Sequence, residues 1–165
     1  MDIEGKGVLL VGSTGILGKV HAQILAEKNC DLVIADRPGS NVLAYAEELG
    51  VHGIEMDVVD EQSVAQGLET VTSKIDRLDG VVFNAAITGE ALAAFGNPFP
   101  DFEDYPLELW QKVIDVNLTG AFLVARASGA ALRRDGGGSL VNVSSIYGVV
   151  APDHRIYEGQ PFSSF

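Results

Sequence analysis

The stretch Val8–Val20, VLLVGSTGILGKV, decides the fold. It opens on four apolar residues, Val8 to Val11, then sets Gly12, Gly15 and Gly18 three apart. Beyond them Ile16, Leu17, Val20, Ile24 and Leu25 recur at helical spacing. A strand, a glycine turn and a helix follow one another. Glycines in a pattern are weak information alone. Here they close a strand and open a helix, where backbone N–H groups and the helix dipole hold a diphosphate and a missing side chain lets the anion approach. Gly12, Ser13, Thr14, Gly15, Ile16, Leu17 and Gly18 are therefore candidate binding residues, set against the plainer reading of a tight turn with no ligand.

Four more β-rich runs follow: DLVIAD (31–36), HGIEMDV (52–58), DGVVFNA (79–85) and GSLVNVSS (138–145), with the first run counted as 7–12. Between them Val42, Leu43, Ala46 and Leu49, then Val64, Leu68, Val71 and Ile75, again recur at helical spacing. Ser40 and Asp60 stand where N-caps belong, and Gly50 where a helix ends. Strands apolar on both faces, alternating with helices, make an α/β fold with a doubly wound, mostly parallel sheet. The longest helix is expected from about Pro106 to Arg134, with Trp110, Val113, Ile114, Phe122 and Leu123 among its apolar positions. Residues 88–105, rich in Gly, Pro and aromatics, read as a loop at a strand's carboxyl end, where open α/β sheets bind ligands. No internal repeat stands out, and residues 1–165 read as a single domain.

Asp36 closes the second strand at about the distance from the glycines that a ribose-binding acid needs. A carboxylate there accepts from both ribose hydroxyls and repels a 2′-phosphate, which favours NAD over NADP. Arg37, next in the chain, softens that choice by its reach toward a phosphate. Read alone, Asp36 is also an ordinary solvated strand-end acid.

The net charge of -12 repels nucleic acid and anionic membranes, so neither is expected as a partner. The acidic start MDIEGKG is unlike a signal peptide, and the chain reads as cytoplasmic. Cys30 is the only cysteine, so an internal disulfide and a cysteine zinc site are ruled out; it reads as a small buried hydrophobe, with a reactive thiol as the alternative. No metal-ligand spacing is present, and His21 and His52 read as structural or surface residues.

Taken in order, the glycine turn, MDVVD (56–60), FNAA (83–86), VNLTG (116–120) and VNVSS (141–145) resemble the short-chain dehydrogenase/reductase family. The resemblance covers nearly the whole chain and implies a Rossmann-type sheet and a nicotinamide-dependent oxidoreductase acting on a small molecule. It assigns Gly12, Gly15 and Gly18 to the diphosphate, Asp36 to the adenosine ribose, and Asp57 with Val58 to the adenine edge. Asn84, Ala85 and Ala86 match the family's Asn-Asn-Ala-Gly stretch, with Phe83 and Ala86 replacing two expected residues. Asn117 matches the asparagine that supports a catalytic water chain, and Ser145, rather than Ser144, the serine that bonds the substrate oxygen. Ile16 departs from the single-domain branch, giving a Gly-x-x-Gly-x-x-Gly spacing common in the extended branch. LWQKVIDVNLTGAFLVAR (109–126) and GGGSLVNVSS (136–145) favour the single-domain branch. A polyol, sugar or other secondary alcohol fits as substrate, and the family implies a homo-oligomer built partly on the long helix.

In this family a tyrosine exchanges the substrate proton, and a lysine four residues on lowers its pKa. A phenol near pKa 10 is otherwise a poor base at neutral pH. Four residues beyond Tyr45, Tyr105, Tyr147 and Tyr157 stand Leu49, Leu109, Ala151 and Pro161. Tyr157 sits a plausible distance after Ser145, but YEGQP (157–161) breaks a helix where one should begin. The expectation is a chain that stops before its Tyr/Lys pair. Its fifth strand would then be an unpaired apolar edge, open to aggregation, and its long helix would lack a packing partner. A hydrolase-like set of Ser145, His154 and Asp153 is the remaining alternative, without a legible elbow or base.

Overall fold

Among the described residues five parallel strands form one sheet in the order β3-β2-β1-β4-β5. They are β1 (Gly7–Val11), β2 (Asp31–Asp36), β3 (His52–Glu55), β4 (Gly80–Phe83) and β5 (Ser139–Asn142). The computed structural model describes residues 3–88, 102–151 and 153–157. Helices α1 (Ile16–Glu27), α2 (Val42–Leu49), α3 (Glu61–Lys74), α4 (Leu107–Ile114) and α5 (Ala121–Arg134) make the crossovers. The expected doubly wound α/β architecture is the one observed.

Alternation along β1 sorts the core. Leu9 and Val11 join Val33, Ala35, Val64, Leu68, Leu123 and Val124 under α3 and α5. Val8 and Leu10 join Leu32, Ile34, Val42 and Ala46 under α1 and α2. Among the described residues β5 pairs with β4 alone, and Val141 and Val143 are 52% and 40% exposed. No helix of the described residues is long and apolar enough to cross a membrane.

Several boundaries differ from expectation. β3 ends at Glu55 rather than Val58, because Asp36, its last partner, ends β2 and Met56 N–H makes the final bond to the Asp36 carbonyl. β5 ends at Asn142 for the same reason, with Val143 N–H bonding the carbonyl of Phe83. Ser40 is not the cap of α2. Its N–H closes a turn to the Arg37 carbonyl, and Asn41, left-handed at φ 63°, carries the chain into the helix. Asp60 caps α3 by accepting from Gln62 N–H, and Gly50 ends α2 in the left-handed region.

Helix α1 turns an unexpected face to the sheet. Its buried residues are Gly18 and Ala22, whereas Ile16, Leu17, Val20 and Ile24 lie in solvent. Gly18 and Ala22 lie fully buried on that face, with Leu25 and Ala26 half-buried against the same core beside them. The long helix expected over 106–134 is likewise three pieces: α4, a π-helical turn from Asp115 to Gly120, and α5. Residues 89–101 lie outside the described residues, and of the loop expected at 88–105 only Phe102–Asp104 is seen as a 3-10 turn.

At the opposite end of the sheet Asp79 accepts from Gly7 N–H at 3.1 Å and pairs with Arg77 and Lys6. Burial pushes its pKa up, but the Gly7 N–H and the two cations outweigh this and hold the carboxyl below its ordinary range. A depressed carboxyl contributes stability that is complete above the unfolded value of about 3.9 and is lost as pH falls through the folded value. Asp79→Asn is therefore expected to be less stable than the parent near pH 7, with the gap closing toward pH 2. Urea unfolding across that range checks it; a gap independent of pH would refute it.

Candidate functional site

The chain reverses its winding between β1 and β4, and in open α/β sheets the crevice at that switch is where ligands sit. Gly12 leaves β1 there at φ 82°, a conformation that favours glycine. A Cβ on it would lie 2.6 Å from Ala85 Cα and 2.9 Å from Asn84 C. A Cβ on Gly18 would overlap the Gly12 carbonyl and lie 2.8 Å from Ser13 Cα. These two glycines are required by the protein's own packing. Gly15 is different: its φ is -70°, and a Cβ there would meet nothing nearer than 3.9 Å. Its missing side chain answers no internal contact.

The turn is bonded on both sides. Gly12 and Ser13 N–H groups and the Ser13 hydroxyl all donate to the carbonyl of Ala35. Asn84 Nδ2 donates to the Gly12 carbonyl at 2.9 Å, and Asn84 N–H to the carbonyl of Val11. Gly15 is the N-cap of α1 and supplies no side-chain cap, so the first-turn N–H groups lack one. A diphosphate fits that cradle: an open glycine, uncapped donors and a helix dipole point the same way.

Asp36, at the end of β2, reaches the same turn. Its Oδ2 accepts from Thr14 N–H and Thr14 Oγ1, each at 2.8 Å, and its Oδ1 accepts from Arg37 N–H at 2.8 Å. Past β3, Asp57 Oδ1 accepts from Val59 N–H, and Asp57 N–H donates to Ser63 Oγ. Val58 is buried in the core against Gly120, so only its backbone can face a ligand. Asn84 and Ala85 are half-buried and Ala86 exposed where the chain leaves β4.

Asn117 lies in the π-helical turn. Its Oδ1 accepts from Ile87 N–H at 2.8 Å and its Nδ2 donates to the Ile87 carbonyl at 3.0 Å. This pair ties the long helix to the segment leaving β4. The amide thereby occupies both backbone groups of Ile87, a residue that side-chain patterns do not single out. Ser145 follows β5 at the same end of the sheet, is exposed, and accepts from Tyr147 N–H to cap a short 3-10 turn.

Of the alternative hydrolase set, Asp153 takes up the Arg155 guanidinium at 2.6 to 3.2 Å, and the His154 side chain lies outside the described residues. His154–Tyr157 form a 3-10 turn rather than a longer helix. His21 is half-buried with Nδ1 unpartnered, and His52 opens β3. No cluster of metal-ligating residues occurs among the described residues. Cys30 is half-buried, its Sγ bonded to the Ile3 carbonyl, and burial pushes its thiol pKa up.

These features define a doubly wound α/β protein with an anion-ready turn at its switch point and a carboxylate beside it. The family model for short chain dehydrogenases matches residues 6–157, and the chain belongs to that family. It is 33% identical to the 3-oxoacyl-[acyl-carrier-protein] reductase FabG of Aquifex aeolicus, over 90% of this chain and 58% of that one. It is 30% identical to the cyclopentanol dehydrogenase of Comamonas testosteroni, over 94% of this chain and 61% of that one. A short-chain type dehydrogenase/reductase from Mycobacterium marinum superposes with a TM-score of 0.78 at 27% identity, over 92% of this chain and 60% of that one. The chain thus spans less than two thirds of the length of these relatives.

Proposed function

We propose that these 165 residues form the nucleotide-binding part of an NAD-dependent oxidoreductase that acts on a secondary alcohol or ketone. The observation that carries the reading is the glycine turn: Gly15 is open where packing asks for no glycine, and Asp36 is bonded to its neighbour Thr14. A bound nicotinamide dinucleotide would supply the hydride acceptor or donor. The chain's own groups bind and orient: first-turn N–H groups of α1 hold the diphosphate, Asp36 the adenosine ribose, and the Asp57–Val58 segment the adenine edge. Asn84, Ala85 and Ala86 line the crevice, and Ser145 Oγ bonds the substrate oxygen. Asn117 acts as a positioning residue through Ile87.

NAD is favoured over NADP because a 2′-phosphate would meet the Asp36 carboxylate, with Arg37 as the one adjacent cation in the sequence. A polyol, sugar or cyclic alcohol suits the reading, in keeping with relatives named D-threitol dehydrogenase and cyclopentanol dehydrogenase. The exposed Leu107, Trp110, Leu118 and Phe122 of the long helix favour a homo-oligomer. Single-domain organisation and a cytoplasmic setting are part of the same reading.

A second reading, a dinucleotide-binding module without turnover, is favoured for the 165-residue chain itself by one observation. None of its four tyrosines has a lysine four residues on. Fluorescence titration with NADH, paired with an assay over secondary alcohols, separates the two. Binding without turnover is expected. Turnover would reject the second reading and promote Tyr157; no binding of either nucleotide would reject both.

A further inference from the structure

The free edge of β5 carries a hydrogen-bonding pattern that is complementary to itself. Ser139 and Val143 N–H groups donate to the carbonyls of Asp79 and Phe83, on the β4 side. Alternation along the strand turns the N–H and carbonyl groups of Leu140 and Asn142 the other way, where they meet no partner among the described residues. Sheet edges are commonly guarded by charged side chains. The opposite edge of this sheet is, since β3 carries exposed His52 and Glu55. β5 is not: in a chain of net charge -12, the run from Ser139 to Val143 holds no charged residue.

We propose that β5 of the 165-residue chain pairs antiparallel with β5 of a second copy, about a two-fold axis at Val141, joining two five-stranded sheets into one. The outward groups set the register. Leu140 of each copy lies opposite Asn142 of the other, and each such pair exchanges two hydrogen bonds, so that every outward group of the strand is satisfied. A register shifted by two residues would set Leu140 or Asn142 opposite itself and leave the other beyond the end of the partner strand. At the axis the exposed Val141 meets its own copy in the non-hydrogen-bonded site, where side chains approach most closely, and Val143 falls opposite Ser139. No like charges meet across this seam. The guarded β3 edges stop further growth, so the assembly closes at two copies instead of running on as a fibre. The seam lies apart from the apolar face of the long helix and does not depend on nucleotide binding.

The test is sedimentation equilibrium of the 165-residue chain from about 1 µM to about 1 mM, the range suited to a small interface. A monomer and a dimer are expected. Val141→Lys sets two cations against each other at the axis and should raise the dissociation constant at least about tenfold. Phe122→Ser, on the long helix, should leave it unchanged. Val141→Cys and Val143→Cys test the register under mild oxidation. Only the first brings two thiols face to face, so a cross-linked dimer is expected for Val141→Cys and not for Val143→Cys or the parent, all of which contain Cys30. The substituted side chains are exposed, which keeps each variant foldable, and the cross-link reads the seam without the lysine. A monomer throughout the range overturns the proposal. So does a dimer lost in Phe122→Ser but kept in Val141→Lys, which would assign association to the long helix. Growth beyond the dimer overturns the closed pair, and equal cross-linking of the two cysteine variants overturns the register.

Discussion

Gly12→Ala is expected to cost the chain about 3 kcal/mol of stability and to abolish NADH binding. Two effects add. Alanine at φ 82° carries left-handed backbone strain of about 1–2 kcal/mol. Its Cβ would also press on Ala85 Cα at 2.6 Å and Asn84 C at 2.9 Å, and overpacking of this kind costs about 1–3 kcal/mol. The neighbours are backbone and cannot turn away as a side chain would. Relief by moving the segment after β4 would break the bonds from Asn84 to the Val11 and Gly12 carbonyls. Gly15→Ala is the matched control. With φ -70° and nothing nearer than 3.9 Å, it should melt like the parent yet bind NADH more weakly. Urea unfolding and NADH titration of both variants give the comparison. Normal stability in Gly12→Ala would show that the turn is not held against β4 as described.

Asp36→Ala is expected to weaken NADH by about 10- to 100-fold, the range for hydrogen bonds to a charged group, and to leave NADPH as tight or tighter. The ratio of the two dissociation constants is the diagnostic. It removes both the acceptor for the ribose and the charge opposed to a 2′-phosphate. It also strips the Thr14 and Arg37 N–H groups of their acceptor. Because the site is half-buried, water can replace the lost partner, and the stability loss should stay near 1 kcal/mol. Parallel weakening of both nucleotides would show that Asp36 shapes the turn without reading the ribose.

Much of the architecture could be read from residue order because the deciding signals are local. Gly12 to Gly18 after VLLV marks a strand, turn and helix, and Asp60 and Gly50 mark helix ends by chemistry that acts within one turn. Features set by distant partners were not legible. The choice of Gly18 and Ala22 as the buried face of α1 depends on what packs against the helix, and periodicity locates a stripe without saying what covers it. Strand ends followed their neighbours: β3 and β5 stop where β2 and β4 stop. Ser40 had the right side chain for a cap, but the backbone turn needed a left-handed residue at Asn41. For the candidate site, Asp36 and Thr14 could each be named from position, but their bond spans 22 residues and belongs to the tertiary structure. The partner of Asn117 is the backbone of Ile87, which no side-chain pattern announces.

The π-helical turn from Asp115 to Gly120 also bears on chain length. Bonding from i to i+5 takes up about one more residue per turn than an α-helix needs. Elsewhere in a helix, removing a residue rotates everything downstream by about 100° and turns buried positions outward. Here the surplus residue is already absorbed between Leu109 on one side and Leu123 and Val124 on the other, all buried. A single deletion within the turn would relax it to α-helix and keep those residues buried. What it would sever is the link from Asn117 to Ile87, so at this one place the length of the rod and the setting of the crevice are independently adjustable.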